Sequence, residues 1–328
     1  MKIFAGIDGG GTRTRLALVC EDGALAGYAE GGSCCFTDHS LQRAHEEFGM
    51  LWRAGWRSAG CDPRPADALF MGMGSILSQA DAQTNCALAV ELLMAGRESV
   101  RADNDAWSAH AGGLRGRPGM LLISGTGSAC LGRNAAGATW RSGGWGYLLN
   151  DAGSGHALGQ AAMIAATRDA DGRGRPTALT ALVQRTLGLQ DMKEIFRKVH
   201  HEGVARAQVA ALAPWVVAEA EAGDPVAREI LQEGAGGLVE MVVTVARRLQ
   251  INRPEIAITG GLILNAALFR QMFLERLASE LEGFTIADQG FAPVFGAVLL
   301  AYQHATGTNP PDRFLENLRA TTARLTAS

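Results

Sequence analysis

The sequence predicts an α/β protein of two domains, each built on a mixed β-sheet. Three observations lead there. First, the chain opens with an apolar run, Ile3-Phe4-Ala5-Gly6-Ile7, then Asp8-Gly9-Gly10-Gly11-Thr12-Arg13-Thr14, then a second apolar run, Leu16-Ala17-Leu18-Val19. That is a hairpin with a glycine turn. Second, the pattern recurs at residues 120–132, where Met120-Leu121-Leu122-Ile123, Ser124-Gly125-Thr126-Gly127-Ser128 and Ala129-Cys130-Leu131-Gly132 follow one another. Third, the first hundred residues run β-β-β-α-β-α-β. A mixed sheet explains that order; the opening meander excludes a simple doubly wound fold.

In order, residues 2–7, 14–20 and 24–30 read as a three-stranded meander, with Glu21-Asp22-Gly23 as its second turn. Residues 31–36 form a loop. Residues 39–58 carry Leu41, Ala44, Phe48, Leu51, Trp52 and Trp56 at helical spacing. Residues 68–74 are a buried strand, 81–95 a helix stopped by Gly96, and 99–102 a short strand ending at Asp103-Asn104-Asp105. Residues 112–119 are a turn-rich connector. After the repeated hairpin comes a glycine-rich loop, 143–155, and a helix from Gly155 onward. Residues 176–250 read as helical, broken near Gly188, Gly203 and Gly223-Asp224-Pro225, and 226–250 is the longest helix. A strand at 255–261 enters Gly260-Gly261; a helix at 264–280, a strand at 283–287 and a helix at 293–304 follow. The first domain is placed at 1–114 and the second at 115–305, with a helical insertion at about 170–225. The polar tail, 306–328, could pack back on the first domain.

Composition narrows the function. The chain has 328 residues, 47% apolar and 19% charged, with a net charge of −3. It is long enough for two cores and has no Lys/Arg run to hold a nucleic acid. No stretch approaches the roughly 18 apolar residues of a membrane span, and the first residues lack a signal-peptide layout, so a cytoplasmic protein is expected. Cys20, Cys34, Cys35, Cys61, Cys86 and Cys130 make no C-x-x-C, which removes zinc and iron–sulfur spacings. They read mostly as buried thiols, with the Cys34-Cys35 pair the one to watch.

Three strand-to-glycine turns carry the chemistry: 8–14, 124–128 and 259–261. Glycines strip side chains from such a turn and leave a row of backbone N–H donors, which suits phosphate. Two hairpins, one in each domain, could bind successive phosphates of one nucleotide across a cleft, with the third turn at the base or ribose. Chain reversal alone is the plain alternative for each turn taken singly. A Walker A loop and a Rossmann G-x-G-x-x-G are both absent.

DGGGTRT (8–14), DNDAWSAHAG (103–112), ISGTGSACLG (123–132), GGWGYLLNDAGSG (143–155) and AITGG (257–261) stand in this order along the chain. In that order they resemble the N-acetylglucosamine kinase group within the BadF/BadG/BcrA/BcrD ATPase family, of the actin/hexokinase/heat-shock chaperone superfamily. The resemblance implies two ribonuclease H-like, actin-like ATPase domains with ATP and sugar in the cleft between them. It implies that Asp8 holds Mg²⁺, which needs few protein carboxylates. Gly10, Gly11 and Thr12 would cradle the β- and γ-phosphates, Thr126 and Gly127 would do so from the second domain, and Gly260 and Gly261 would lie against the adenosine. Asp105 would be the catalytic base, taking the proton of the attacking sugar hydroxyl. Asp103 is the rival for that role, and Asp105 could instead, or also, cap the helix beginning near Ala106. Gly144, Trp145 and Gly146 would form the sugar platform and Asp151 would accept sugar hydroxyls, Trp145 otherwise being a core residue. Domain closure and a homodimer are implied as well.

Two departures fall in the sugar loops. Many relatives carry a glutamate where this chain has Ala152, and an asparagine in the loop that here reads Ser33-Cys34-Cys35-Phe36. The expected reaction is transfer of the γ-phosphate of ATP to the 6-hydroxyl of an amino sugar, N-acetylglucosamine first. A glucosamine kinase, or a family ATPase acting as activator or regulator, are the alternatives. The activators need cluster cysteines, and Cys34-Cys35 does not look like that site.

Overall fold

The computed structural model describes residues 1–36, 40–149, 151–288 and 290–325. The chain divides into two compact units, Met1–Arg117 with Ala287–Ser328, and Pro118–Ile286.

In the first unit β1 (Ile3–Gly9), β2 (Thr14–Cys20) and β3 (Leu25–Gly31) form the antiparallel meander. Helix α1 (Leu41–Ser58) leads to β4 (Ala68–Met73), and α2 (Gln79–Glu91) leads to β5 (Val100–Asp103). The sequence started α1 at residue 39, which lies outside the described residues. β4 and β5 add parallel beside β1, giving the order β3-β2-β1-β4-β5. Helix α3 (Asp105–Gly113) ends the first run of this unit.

The period-2 pattern of β1 and β2 sorts the core. Ile3, Ala5, Ile7, Leu16 and Leu18 bury one face of the sheet against Phe48, Trp52 and Trp56 of α1. Phe4, Ala17 and Val19 bury the other. The isoleucine, leucine, valine and phenylalanine side chains among them are each worth roughly 1.5–3 kcal/mol when fully removed from water.

The second face is covered by a helix from the far end of the chain. The sequence assigned residues 287–305 to the second domain, but α12 (Pro293–Thr306) packs in the first unit, through Val294, Phe295, Ala297, Val298, Leu299 and Ala301. Gly6 explains the fit: a Cβ there would lie 2.5 Å from the Val294 carbonyl oxygen and the Val298 nitrogen, so only glycine lets the helix sit this close to β1. Helix α13 (Asp312–Thr322) follows, with Phe314 and Leu318 in the same core; residues 326–328 of the tail lie outside the described set.

The second unit repeats the topology. β6 (Gly119–Ser124), β7 (Ser128–Arg133) and β8 (Thr139–Gly143) are an antiparallel meander, with β9 (Glu255–Thr259) and β10 (Thr285–Ile286) parallel beside β6. The order is β10-β9-β6-β7-β8, the mirror listing of the first sheet. The two ribonuclease H-like sheets expected from the motifs are therefore present. β8 was not legible: Thr-Trp-Arg-Ser-Gly is an exposed edge strand without apolar alternation.

Between β8 and β9 lie α4 (Gly155–Ala170), α5 (Leu179–Leu187), the short α6 (Ile195–Arg197), α7 (Arg206–Ala210), α8 (Ala213–Glu221) and α9 (Pro225–Leu249). Asp224 caps α9, accepting from the amides of Val226 and Ala227, and Pro225 sits at its first position. After β9 come α10 (Gly261–Asn265) and α11 (Ala267–Glu280). The core joins Leu122 and Cys130 of the sheet to Leu158, Leu238, Val242 and Phe273 of the helices. Among the described residues no helix is long and apolar enough to cross a membrane.

Candidate active site

In the first unit the site begins where β1 ends. The β1–β2 turn is closed by the Gly10 amide donating to the Arg13 carbonyl, 3.0 Å. Gly11 and Thr12 are exposed, and their amides have no partner among the described residues. A loop lies beneath the turn: the Ser33 hydroxyl donates to the Gly10 carbonyl (2.9 Å), and the Cys34 amide donates to Thr14 Oγ1 (3.0 Å). Cys34 and Cys35 are buried, and burial pushes the Cys34 thiol up to about 12, so Cys34 is packing rather than a reactive thiol.

Asp8 pairs in register with Gly72 of β4, and Gly72 with Asp103 of β5. Two strand spacings, roughly 10 Å, therefore separate the backbones of Asp8 and Asp103. Asp105 stands one turn on, as the first residue of α3. Its carboxylate reaches back over β4: a Cβ at Gly74 would lie 3.2 Å from Asp105 Oδ2. The capping alternative is corrected here. Asn104 is the N-cap, its side chain accepting from the Ala106 amide at 3.2 Å and its Nδ2 donating to the Ile76 carbonyl at 3.1 Å. The Asp105 carboxylate is thus not the cap.

Burial first, and Asp105 second, raise the Asp8 carboxyl to about 6, against an opposing pull from Arg15. Arg15 is itself engaged with Glu30, Nε to Oε1 at 3.0 Å. Burial also raises Asp105, with the amides of Ala106 and of Asp105 itself opposing. Asp103 is raised by burial as well, opposed by the Asn104 amide, but its side is exposed. Two desolvated carboxylates, Asp8 and Asp105, have a raised affinity for a proton and can take up a cation in its place. Among the described residues no group of three or more metal-ligating side chains occurs. Mg²⁺ is nevertheless held through one or two carboxylates together with substrate phosphates, so the donor set fits it.

In the second unit the β6–β7 turn is closed by the Gly125 amide donating to the Gly127 carbonyl, 3.0 Å. Two serines tie the 143–155 loop to it: Ser124 Oγ donates to the Gly153 carbonyl and Ser128 Oγ to the Ala152 carbonyl, each 2.7 Å. The Gly155 and His156 amides at the start of α4 donate to the carbonyls of Gly125 (2.7 Å) and Thr126 (3.3 Å). Gly260 presses on the same turn. It has φ +110°, and a Cβ there would lie 2.2 Å from the Ser124 carbonyl oxygen. So Thr126, Gly127, Gly260 and Gly261 come together in one place.

The loop that follows is open. Trp145 is 67% exposed, which excludes the core-packing alternative, with Arg141 over its ring at 5.3 Å. Gly144 and Gly146 flank it at φ +70° and +91°, and the Gly144 amide donates to the Ser128 carbonyl at 3.0 Å. Asp151 is buried at 4% exposure. Its Oδ1 accepts from the Gly146 amide at 3.2 Å and its Oδ2 from Arg206 Nη2 at 3.3 Å. Ala152 turns its methyl toward Gly237 of α9. Asn150 lies outside the described residues.

Sequence reasoning missed Arg206, Tyr147 and His156. Arg206 lies 5.5 Å from the centre of the Tyr147 ring, and that ring lies 4.8 Å from His156. Burial and Arg206 hold His156 below its ordinary value against the pull of Asp151, so it is neutral near pH 7. Arg206 comes from α7, 55 positions from its partner, and no local pattern marks it.

The sequence profile of the BadF/BadG/BcrA/BcrD ATPase family matches residues 5–301. The chain is 29% identical over 305 residues to an N-acetylmuramic acid/N-acetylglucosamine kinase of Clostridium acetobutylicum, covering 92% of this chain and 98% of that protein. It is 28% identical to an N-acetyl-D-glucosamine kinase of Dictyostelium discoideum, again over 92% and 98%. A crystal structure described as a candidate N-acetylglucosamine kinase from Chromobacterium violaceum superposes with a TM-score of 0.68 at 28% identity, over 92% of this chain and 99% of that one.

Proposed function

The chain belongs to the BadF/BadG/BcrA/BcrD ATPase family, and from that premise we propose that it is an ATP-dependent kinase of an amino sugar, N-acetylglucosamine first, phosphorylated at the 6-hydroxyl. The observation that carries the reading is the raised carboxyl pair. Asp105, at the head of α3 and free of the capping role, is a base whose affinity for a proton has been raised by burial. Efficient general bases have a pKa near the working pH, and such a group contributes about 10²–10⁴-fold.

Asp105 accepts the proton of the attacking sugar hydroxyl and holds that oxygen toward the γ-phosphate. Gly11 and Thr12 offer unengaged amides to phosphate oxygens; Gly10, whose own amide closes the turn on Arg13, keeps that cradle free of a side chain; and Thr126 and Gly127 offer amides from the second unit. Gly260 and Gly261 take the adenosine, where the absence of side chains lets a flat group approach the backbone. Asp8 holds Mg²⁺, which when bound neutralises phosphate charge. Trp145 gives the sugar a ring face, Gly144 and Gly146 keep the loop close around it, and Asp151 accepts sugar hydroxyls through lone pairs left over from Gly146 and Arg206. The names of the relatives in C. acetobutylicum and D. discoideum support this choice of acceptor.

The test is a coupled ADP-release assay against N-acetylglucosamine, glucosamine, N-acetylmannosamine, N-acetylmuramic acid and glucose. Turnover of N-acetylglucosamine is expected, with the phosphorylated carbon assigned by ³¹P–¹H correlation. ATP hydrolysis without turnover of any of the sugars sinks the kinase reading.

A further inference from the structure

The second unit holds a guanidinium that the phosphoryl-transfer scheme does not use, and it stands over the β6–β7 turn. Arg206 opens α7, which is seated on α4 by the close approach of Val209, whose carbonyl would meet any Cβ at Gly159. Arg206 Nη2 donates to Asp151 Oδ2 at 3.3 Å, and the guanidinium carbon lies 5.5 Å from the centre of the Tyr147 ring. A Cβ at Gly127 would lie 2.6 Å from Arg206 Nη2 and 3.0 Å from Asp151 Oδ2. The ion pair thus fills the space that a side chain at Gly127 would take. Arg206 is still 43% exposed, and its other N–H groups have no partner among the described residues.

A guanidinium carries five N–H donors in a planar fork, and Asp151 uses one of them. A sugar hydroxyl asks for a single donor. A phosphoryl group in transfer spreads its charge over three equatorial oxygens, which is the acceptor a planar fork matches. The buried Asp151 carboxylate and the Tyr147 ring already hold the guanidinium in place, so little reorganisation is left for the moment of reaction.

We infer that Arg206 is a catalytic residue of the phosphoryl transfer, its remaining N–H groups binding the equatorial oxygens of the γ-phosphoryl group as that group crosses to the sugar. This rests on the kinase reading above and adds the residue of the second unit that stabilises the transferring group. In that step the sugar hydroxyl oxygen bonds to the γ-phosphorus, and the bond from that phosphorus to the β,γ-bridging oxygen breaks. Its electron pair leaves with ADP, and the hydroxyl proton goes to Asp105. Arg206 changes no covalent bond; its contacts tighten as the phosphorus moves toward the sugar, so they lower the barrier rather than strengthen the binding of ATP. Asp151 joins the two ends of the reaction: one oxygen fixes Arg206, and its remaining lone pairs are left for sugar hydroxyls.

The test compares the wild-type protein with Arg206→Ala and Arg206→Lys, with N-acetylglucosamine as acceptor. Arg206→Ala should lower kcat by roughly 10²–10³-fold, the loss for one donor aimed at transferring charge, while the KM for ATP moves by less than about threefold. Arg206→Lys, in which buried Asp151 keeps a cationic partner, should show the same split at smaller size, and it carries the comparison if the alanine protein does not fold. Calorimetric titration gives a readout apart from turnover. With the sugar present, ADP with aluminium fluoride, a mimic of the transferring phosphoryl group, should bind about 100-fold more weakly to Arg206→Ala, while ADP alone binds as it does to the wild-type protein. Equal weakening of ADP and of its aluminium fluoride complex overturns the inference. So does a loss confined to the KM for the sugar, which would leave Arg206 serving Asp151 alone. Turnover of the sugar with kcat unmoved in both variants overturns this inference and leaves the kinase reading standing, whereas turnover of no sugar by the wild-type protein overturns that reading.

Discussion

The β1–β2 and β6–β7 turns are built on one plan and braced in two ways. Each closes an antiparallel meander at the centre of a five-stranded sheet of the same topology. After the last isoleucine of the strand the first has Asp8 and the second has Ser124. Asp8 is a carboxyl lifted to about 6 by burial and by Asp105, and it braces nothing. Ser124 is wholly buried and spends its hydroxyl on the Gly153 carbonyl. The first turn rests on the 33–35 loop and stands open; the second is locked by α4, by the 151–154 loop and by Gly260. A repeated fold has thus been divided in labour. One copy keeps a costly buried carboxyl, which the proposed function uses for Mg²⁺, and the other has in its place a hydrogen bond that shapes the loop carrying Trp145 and Asp151.

Removing the proposed base should give the largest effect and tests which acid of the first unit holds that role. Asp105→Asn should lower kcat by about 10²–10⁴-fold with ATP affinity retained, measured by steady-state kinetics and nucleotide titration, while Asp103→Asn costs less than about tenfold. The reverse order would transfer the role to Asp103.

Exchange at the equivalent positions should then move stability in opposite directions. Asp8 is an acid whose pKa is raised on folding. At low pH both states are protonated and nothing is lost; as pH rises through about 6 the folded state must carry a charge it disfavours. Asp8→Asn should therefore stabilise the metal-free protein by about 1–3 kcal/mol at pH 7.5, with the gain vanishing near pH 4, while turnover is lost. Ser124→Ala should instead destabilise by about 1–3 kcal/mol at both pH values, because the buried Gly153 carbonyl loses its partner. Thermal unfolding of both variants at the two pH values decides it; a stability loss in Asp8→Asn would break the contrast.

The glycines should differ as well. Gly260→Ala has neither the conformation nor the room for a Cβ, and should cost about 3 kcal/mol, read by urea unfolding. Gly10→Ala, where a Cβ meets nothing within 4 Å, should stay within about 0.5 kcal/mol and register only in the KM for ATP. Equal losses would mean that the first turn is as tightly braced as the second.

The smallest effect concerns the helices inserted only in the second unit. Burial pushes the Asp224 carboxyl up, but hydrogen bonds from the amides of Ala227, Ala178 and Val226 and from the Thr177 hydroxyl outweigh it and hold the group below its ordinary value. Its contribution is present above the unfolded pKa and is lost as pH falls through the folded one. Asp224→Ala should cost about 1 kcal/mol at pH 7 and nearly nothing at pH 2 in urea unfolding, with no change in measured nucleotide affinity.

Much of this was readable from local pattern. Hairpins, turn glycines and α9 carry their period and their stop signals within a few residues. What escaped had no local signal. The exposed edge strand β8 lacks alternation. Asn104, rather than its neighbour, took the cap of α3, a choice between adjacent polar residues that turned on the Ile76 carbonyl and the Ala106 amide.

By itself the sequence determined the two sheets, the three glycine turns and the acids standing at the strand ends, because backbone conformation and side-chain period are short-range properties. Only the tertiary structure decided that α12 belongs to the first unit, that burial raises Asp8 and Asp105, and that Arg206 of α7 reaches Asp151. Each of these depends on residues far apart in the chain, where packing, desolvation and charge act through space and leave no mark in the spacing of letters.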